Sequence, residues 1–197
     1  MRYVTISFFL AVITAGCANK NQDYAAVKDG SKVSEQELAD YCKTVKCRGP
    51  VTIQLKKQDG STWEFKLDNA QPVVQNIGGE TISIFPGEEI YIEYDEAAGG
   101  PMNFRNVTTI TNPERTLIFS FSQEPNSGTM ILRHENKSNR NIKFTLGMML
   151  PDSGDIYKTS SCPMMAGLVV YESWPQPIFQ LIMADFRWVK ETDTECN

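Results

Sequence analysis

The chain has a single histidine, His134, and that count excludes more chemistry than any motif supports. A blue-copper centre draws on two histidines and a cysteine, and a hydrolytic zinc usually on two or three histidines, so neither can be assembled here. One histidine suffices for a Ser-His-Asp or Cys-His arrangement. His134, however, closes an alternating run beside Glu135, and no Gly-x-Ser-x-Gly occurs in the sequence. It reads as a surface or edge-strand residue, and no catalytic residue is assigned.

Methionine is the one biased apolar type, with pairs at Met148-Met149 and Met164-Met165. Soft thioethers select Cu(I), and two such pairs in facing loops would offer up to four sulfurs. The alternative is that they fill irregular gaps at the end of a core; Met-x-x-Met spacing is absent, and no cofactor is expected. Asp152-Ser-Gly-Asp155 holds a fragment of a calcium loop but lacks the bidentate glutamate, so it reads as a turn. Asp95 and Glu96 read as a solvated strand end. Tyr171 and Trp174 stand in a proline-stiffened stretch, Tyr171-Glu-Ser-Trp-Pro-Gln-Pro177. Rigid aromatics there could stack on a sugar or anchor a partner protein, while a tryptophan beside a disulfide is also a common core residue of β-sandwiches. A glycan-cleaving enzyme built on two carboxylates is the catalytic alternative to a binding role. Asn106 and Asn136 begin Asn-x-Ser/Thr sequons, which carry no meaning in a bacterium and would mark surface loops in a eukaryote.

The N-terminus carries the clearest address. Met1-Arg2 starts positive, Val4 to Ala15 is apolar apart from Thr5, Ser7 and Thr14, and Thr14-Ala15-Gly16 precedes Cys17. That is the form of a secretory signal, too short to span a bilayer. Cys17 directly after Ala-Gly resembles the lipobox of bacterial lipoproteins, with Thr14 where leucine is commonest. The resemblance covers this segment alone. It implies that the Cys17 thiol takes a diacylglyceryl group, that residues 1–16 are removed, and that the new amine is acylated. Several acyl chains together anchor stably. Ala18, where lipoproteins kept at the inner membrane of enteric bacteria carry aspartate, implies the outer membrane. The expected partners are therefore the membrane, through the lipid, and an envelope protein or glycan. The formal charge of −5, one unit more negative without Arg2, gives no electrostatic footprint for nucleic acid.

Removing Cys17 leaves Cys42, Cys47, Cys162 and Cys196. Four cysteines in an oxidising compartment allow three pairings. Cys42–Cys47 with Cys162–Cys196 is the most local and is the expected one. A zinc site does not suit the spacing, since Cys-x4-Cys has only two distant single cysteines to complete it.

These side chains need elements to hold them. Residues 17–33 are polar and aperiodic, which reads as a tether. Ser34-Glu35-Gln36-Glu37 has the form of a capping box, predicting a short helix over 35–43 that buries Leu38 with Tyr41 or Cys42. From Val51 the period becomes two. Val51, Ile53 and Leu55, then Asp59-Gly60, then Trp63, Phe65 and Leu67 predict a β-hairpin. Thr81-Ile-Ser-Ile-Phe, Pro86-Gly87 and Ile90-Tyr-Ile-Glu-Tyr repeat that theme, and residues 97–101 read as a loop. Further strands are expected at 106–111, 116–122, 129–134, 142–148 and 168–171, with one long or two short strands in 178–189. The polar bridge 136–141 suits a crossing from one sheet to the other. Eight to ten short strands joined by Gly, Pro, Asn and Asp turns predict an antiparallel β-sandwich, immunoglobulin-like or jelly-roll-like, over 34–197.

Overall fold

Period-two alternation becomes, in three dimensions, two five-stranded antiparallel sheets packed face to face. The computed structural model describes residues 35–197 except 58, 77, 78, 126 and 152–154. The signal, Cys17, the tether, the Ser34 cap and Asp152 lie outside the described residues. In chain order the elements are α1 (Glu35–Tyr41), β1 (Cys47–Arg48), β2 (Val51–Lys56), β3 (Thr62–Leu67), β4 (Gln71–Pro72), β5 (Val74–Gln75), β6 (Thr81–Ile84) and β7 (Glu88–Glu96). They continue with β8 (Pro101–Val107), β9 (Thr116–Gln123), β10 (Met130–Asn136), β11 (Asn141–Met149), β12 (Ile156–Thr159), β13 (Leu168–Trp174) and β14 (Gln180–Val189).

One sheet has the order β13-β10-β9-β7-β8 and the other β12-β11-β14-β6-β5. Their inner faces meet through Ile90, Ile92, Leu117, Phe119, Phe121 and Leu132 on one side, and Ile82, Ile84, Leu146, Leu181 and Met183 on the other. Each such side chain contributes about 1.5–3 kcal/mol when fully buried, so this interior dominates the stability.

The β2–β3 hairpin forms as expected, with Gly60 at φ 83° in the turn. Asp59 Oδ1 accepts hydrogen bonds from the Ser61 amide and hydroxyl, which fixes that turn. The hairpin does not join either large sheet. It closes one end of the sandwich, with Phe65 4.5 Å and Trp63 5.7 Å from the ring of Phe179. At another point the sheets are sewn together by the 97–100 loop. The Trp188 amide donates to Gly99 O and its indole to Ala97 O. A Cβ on Gly100 would lie 2.4 Å from Phe186 O, so only glycine allows this approach.

Three expectations are corrected. Pro86-Gly87 is not a hairpin turn: β6 and β7 belong to different sheets, and the turn, with Gly87 at φ 89°, arches between them. The strand expected at 106–111 is instead Pro101–Val107, because β8 is an edge strand where a first-position proline forfeits no ladder bond. The helix stops at Tyr41, two residues early, where the Thr44 hydroxyl takes up the Tyr41 carbonyl. The 178–189 segment is one strand, β14, with Asp185 at φ 54° and a register shift opposite Lys143–Thr145. The 136–141 bridge does connect the two sheets.

Candidate functional site

The features that stand out lie on and behind β13. Among the described residues this strand forms one edge of its sheet, paired with β10 alone. Val169, Tyr171 and Ser173 face outward, while Glu172 and Trp174 turn into the core. Among the described residues, Leu168, Val169 and Tyr171 are three of the four exposed large hydrophobics, and Tyr171 is 66% exposed. Edge strands are normally protected by charge, proline or a bulge. β13 has neither a proline nor an outward charge, and its pairing with β10 runs unbroken over seven residues. Beside it on the outer face, Arg133 of β10 stands opposite Tyr171 and is ion-paired with Glu135. The structure therefore separates the two aromatics that the sequence grouped. Tyr171 stands in solvent with its hydroxyl bonded to Arg133, whereas Trp174 is 8% exposed and donates its indole N–H to Thr159 Oγ1 at 3.0 Å.

Behind the strand lies a buried polar chain. His134 corrects the surface reading: it is fully buried on β10, on the face shared with Met130 and Leu132. The alternation that runs through Leu132 carries it inward, and Glu172 on the adjacent strand makes this tolerable. His134 Nε2 and Glu172 Oε1 are 2.9 Å apart, and His134 Nδ1 has no hydrogen-bond partner among the described residues. The ring packs edge-on against Phe144 at 5.6 Å. Glu172 Oε1 also accepts the Cys162 amide at 3.1 Å. The carbonyl of that same peptide, Ser161 O, accepts from the ammonium of Lys143, which reaches Glu195 O at 3.1 Å as well. One peptide group thus sits between a buried cation and a buried anion. Burial pushes the Lys143 amine below its ordinary range, an effect that the nearby Glu172 charge opposes.

Both disulfides pair as expected, Cys42–Cys47 and Cys162–Cys196. Cys162–Cys196 staples the C-terminal tail beside the Lys143 site, and the Ser161 and Asn197 backbones exchange two further hydrogen bonds. Cys42–Cys47 ties α1 to β1, where Arg48 is held as firmly as a guanidinium can be. It donates to Glu88 Oε1, Pro72 O, Ser83 Oγ and Ser83 O, and its charge lies 4.5 Å over the Phe85 ring. An open cleft of ≈ 330 Å³ runs past Lys46, Arg48, Glu88, Glu89 and Tyr91; in its wall Arg48 is paired with Glu88, and Glu89 accepts from the Tyr91 hydroxyl.

The methionine pairs do not face one another. Met164 is bridged by its backbone to Ile142 at the start of β11, whereas Met148 and Met149 end the same strand. Six residues of strand separate the two places by about 20 Å. Met164 is fully buried, Met165 Sδ accepts from Asn141 Nδ2, and Met148 Sδ from Gln176 Nε2. No four-sulfur site results. Asp95 bonds to Arg105 and Asn103, which hold its carboxyl below the usual range, and Glu93 reaches the same arginine at 3.8 Å. Glu96 faces Arg115 at 3.8 Å. Asn136 is another residue buried without a signal in its neighbours: its Nδ2 donates to Arg140 O and Met164 O, organising the sheet crossing. The chain matches no protein-family model, no curated protein and no solved structure.

Proposed function

We propose that this protein is a lipid-anchored component of the bacterial cell envelope, held by acylated Cys17 at the outer membrane, with a binding role rather than a catalytic one. Its binding element is the open edge of β13, which takes an extended segment of an envelope protein as an added strand. The observation that carries this reading is the pair Val169 and Tyr171, exposed on the outer face of an edge strand, with Leu168 exposed at its start. In such pairing the main chain supplies affinity, and alternate side chains supply specificity. The groups that would have suggested chemistry support it from the other side. His134 and Glu172 face each other in the interior, and the Met148 and Met164 pairs stand at opposite ends of β11.

The anchor is tested by labelling cells with a fatty-acid analogue: Cys17→Ala loses the label, and equal label on variant and wild type removes the anchor. The edge is tested in living cells with a photo-crosslinking residue in place of Tyr171. A defined envelope protein is captured, and Val169→Lys, which sets a charge on the edge without touching the core, abolishes the crosslink. A crosslink unaffected by Val169→Lys overturns strand addition. A crosslink to a second copy of this chain replaces the envelope partner with self-association.

A further inference from the structure

We infer that the Cys162–Cys196 disulfide is a redox latch on a buried amine, so that reducing it releases the C-terminal strap and delivers Lys143 to solvent. This stands independently of any role for β13. Lys143 Nζ donates to Ser161 O and to Glu195 O, and these residues immediately precede Cys162 and Cys196. The disulfide therefore brings together the two halves of the clamp on the ammonium. Lys143 is 4% exposed although it lies on the outer face of β11, opposite Arg187 of β14. A lysine on that face is ordinarily solvated. Here the strap excludes the water.

The strap itself has little else to hold it. Residues 190–197 are all exposed, so they bury no apolar side chain of their own. Asp193 bonds locally to Lys190, and Asn141 Nδ2 reaches Lys190 O at 3.5 Å. Near the end, the ties are the disulfide, the Ser161–Asn197 backbone pair and the Lys143 bond itself. The other half of the clamp stays in place without the disulfide, since Ser161 Oγ donates to Phe144 O and the Cys162 amide to Glu172. Opening the bond thus frees the tail but leaves the sandwich intact.

The chemistry is thiol–disulfide exchange with a dithiol reductant. Its thiolate attacks Cys196 Sγ, the exposed half of the bridge, and the Sγ–Sγ bond breaks with Cys162 leaving as a thiolate that takes up a proton. The second thiol of the reductant then displaces Cys196. Two electrons and two protons pass to the protein, and the dithiol becomes a disulfide.

Acylation of lysines by an N-hydroxysuccinimide ester, followed by peptide mapping, reads the latch directly on the purified full chain. In the oxidised protein Lys143 reacts at least tenfold more slowly than exposed Lys158 and Lys190. Treatment with a dithiol raises the Lys143 rate at least tenfold and leaves the other two unchanged. Cys196→Ser shows the fast rate without reductant, and the Cys42→Ser/Cys47→Ser variant responds to the dithiol as wild type does. Far-UV circular dichroism keeps its strand signal throughout. The latch is overturned if Lys143 stays slow after reduction or is already fast when oxidised. It is equally overturned if reduction speeds every lysine together with loss of the strand signal, because the disulfide would then be holding the fold.

Discussion

Arg48 and Lys143 are both buried cations beside a disulfide, and the contrast between their partners separates the two ends of the chain. Arg48 meets a carboxylate, Glu88, and its remaining donors find Pro72 O and Ser83 on neighbouring strands. Lys143 donates to two carbonyls, Ser161 O and Glu195 O, one of them on an exposed tail. The first arrangement belongs to the sheets, so Cys42–Cys47 adds a local restraint to something already fixed. The second exists only while Cys162–Cys196 is closed. A buried charge therefore reports what holds its partners, and in this molecule one disulfide decorates the fold while the other completes a site.

The largest test of that contrast is Arg48→Ala. Removing one member of a fully buried ion pair costs about 3–5 kcal/mol, and this pair, with Glu88 23% exposed, should fall at the lower end of that range. Glu88 would keep its bond from the Phe85 amide but lose its cation, Ser83 O would lose the guanidinium, and Pro72 O would keep only the Ser83 hydroxyl. Urea denaturation followed by circular dichroism should show the loss, with Arg48→Lys only partly restoring it because an ammonium cannot span the same fork of acceptors. A loss under about 1 kcal/mol would mean that the arginine is solvated and the contrast with Lys143 is empty.

The disulfides come next. On the chain-entropy estimate a loop of about 35 residues contributes about 4 kcal/mol and one of about six about 2. Denaturation of the Cys162→Ala/Cys196→Ala and Cys42→Ala/Cys47→Ala pairs should give that order. The reverse order would place the N-terminal bridge in charge of stability and undo the division drawn between the two ends.

How much of this was readable beforehand differs between the sandwich and the site. Alternation at Val51–Leu55, Ile90–Tyr94 and Met130–Leu132 is a local property of the chain, so strands and fold class were legible. Which strand pairs with which was not: the same Pro86-Gly87 signal serves a hairpin or an arch, and only packing chooses between them. Short strands such as β1, β4, β5 and β12 left no pattern long enough to read. His134 was misplaced for a related reason. Its position in the alternation pointed inward, but burying an imidazole needs a partner, and Glu172 lies 38 residues further on. Tyr171 could be flagged from its setting beside Trp174, whereas their opposite faces follow from the register of β13 against β10. The Lys143 clamp was invisible, since it is built from backbone carbonyls that carry no residue signature.

The smallest effect is the one that most sharpens the comparison, and it is a slope with pH. Burial lowers the Lys143 pKa, so the folded chain releases that proton before the unfolded chain does. Well below both values each state is protonated, and the full cost of a buried ammonium weighs on the fold. As pH rises through the folded value, the unfolded chain binds more proton than the folded one, and stability increases until the unfolded value near 10.5 is passed. Lys143→Met cannot titrate, so the difference between wild type and this variant should shift in favour of wild type as pH rises from the lowered folded value toward 10.5. Arg48 is also lowered by burial, but a guanidinium stays charged over that window, and Arg48→Ala should run parallel to wild type. Denaturation midpoints measured at successive pH values compare the three curves. In protein reduced at Cys162–Cys196 the Lys143 difference should vanish, because an amine restored to water has the same affinity for its proton folded or unfolded. Parallel curves for wild type and Lys143→Met in the oxidised protein would show that the clamp leaves the ammonium hydrated, and the two cations would then differ in their partners but not in their physics.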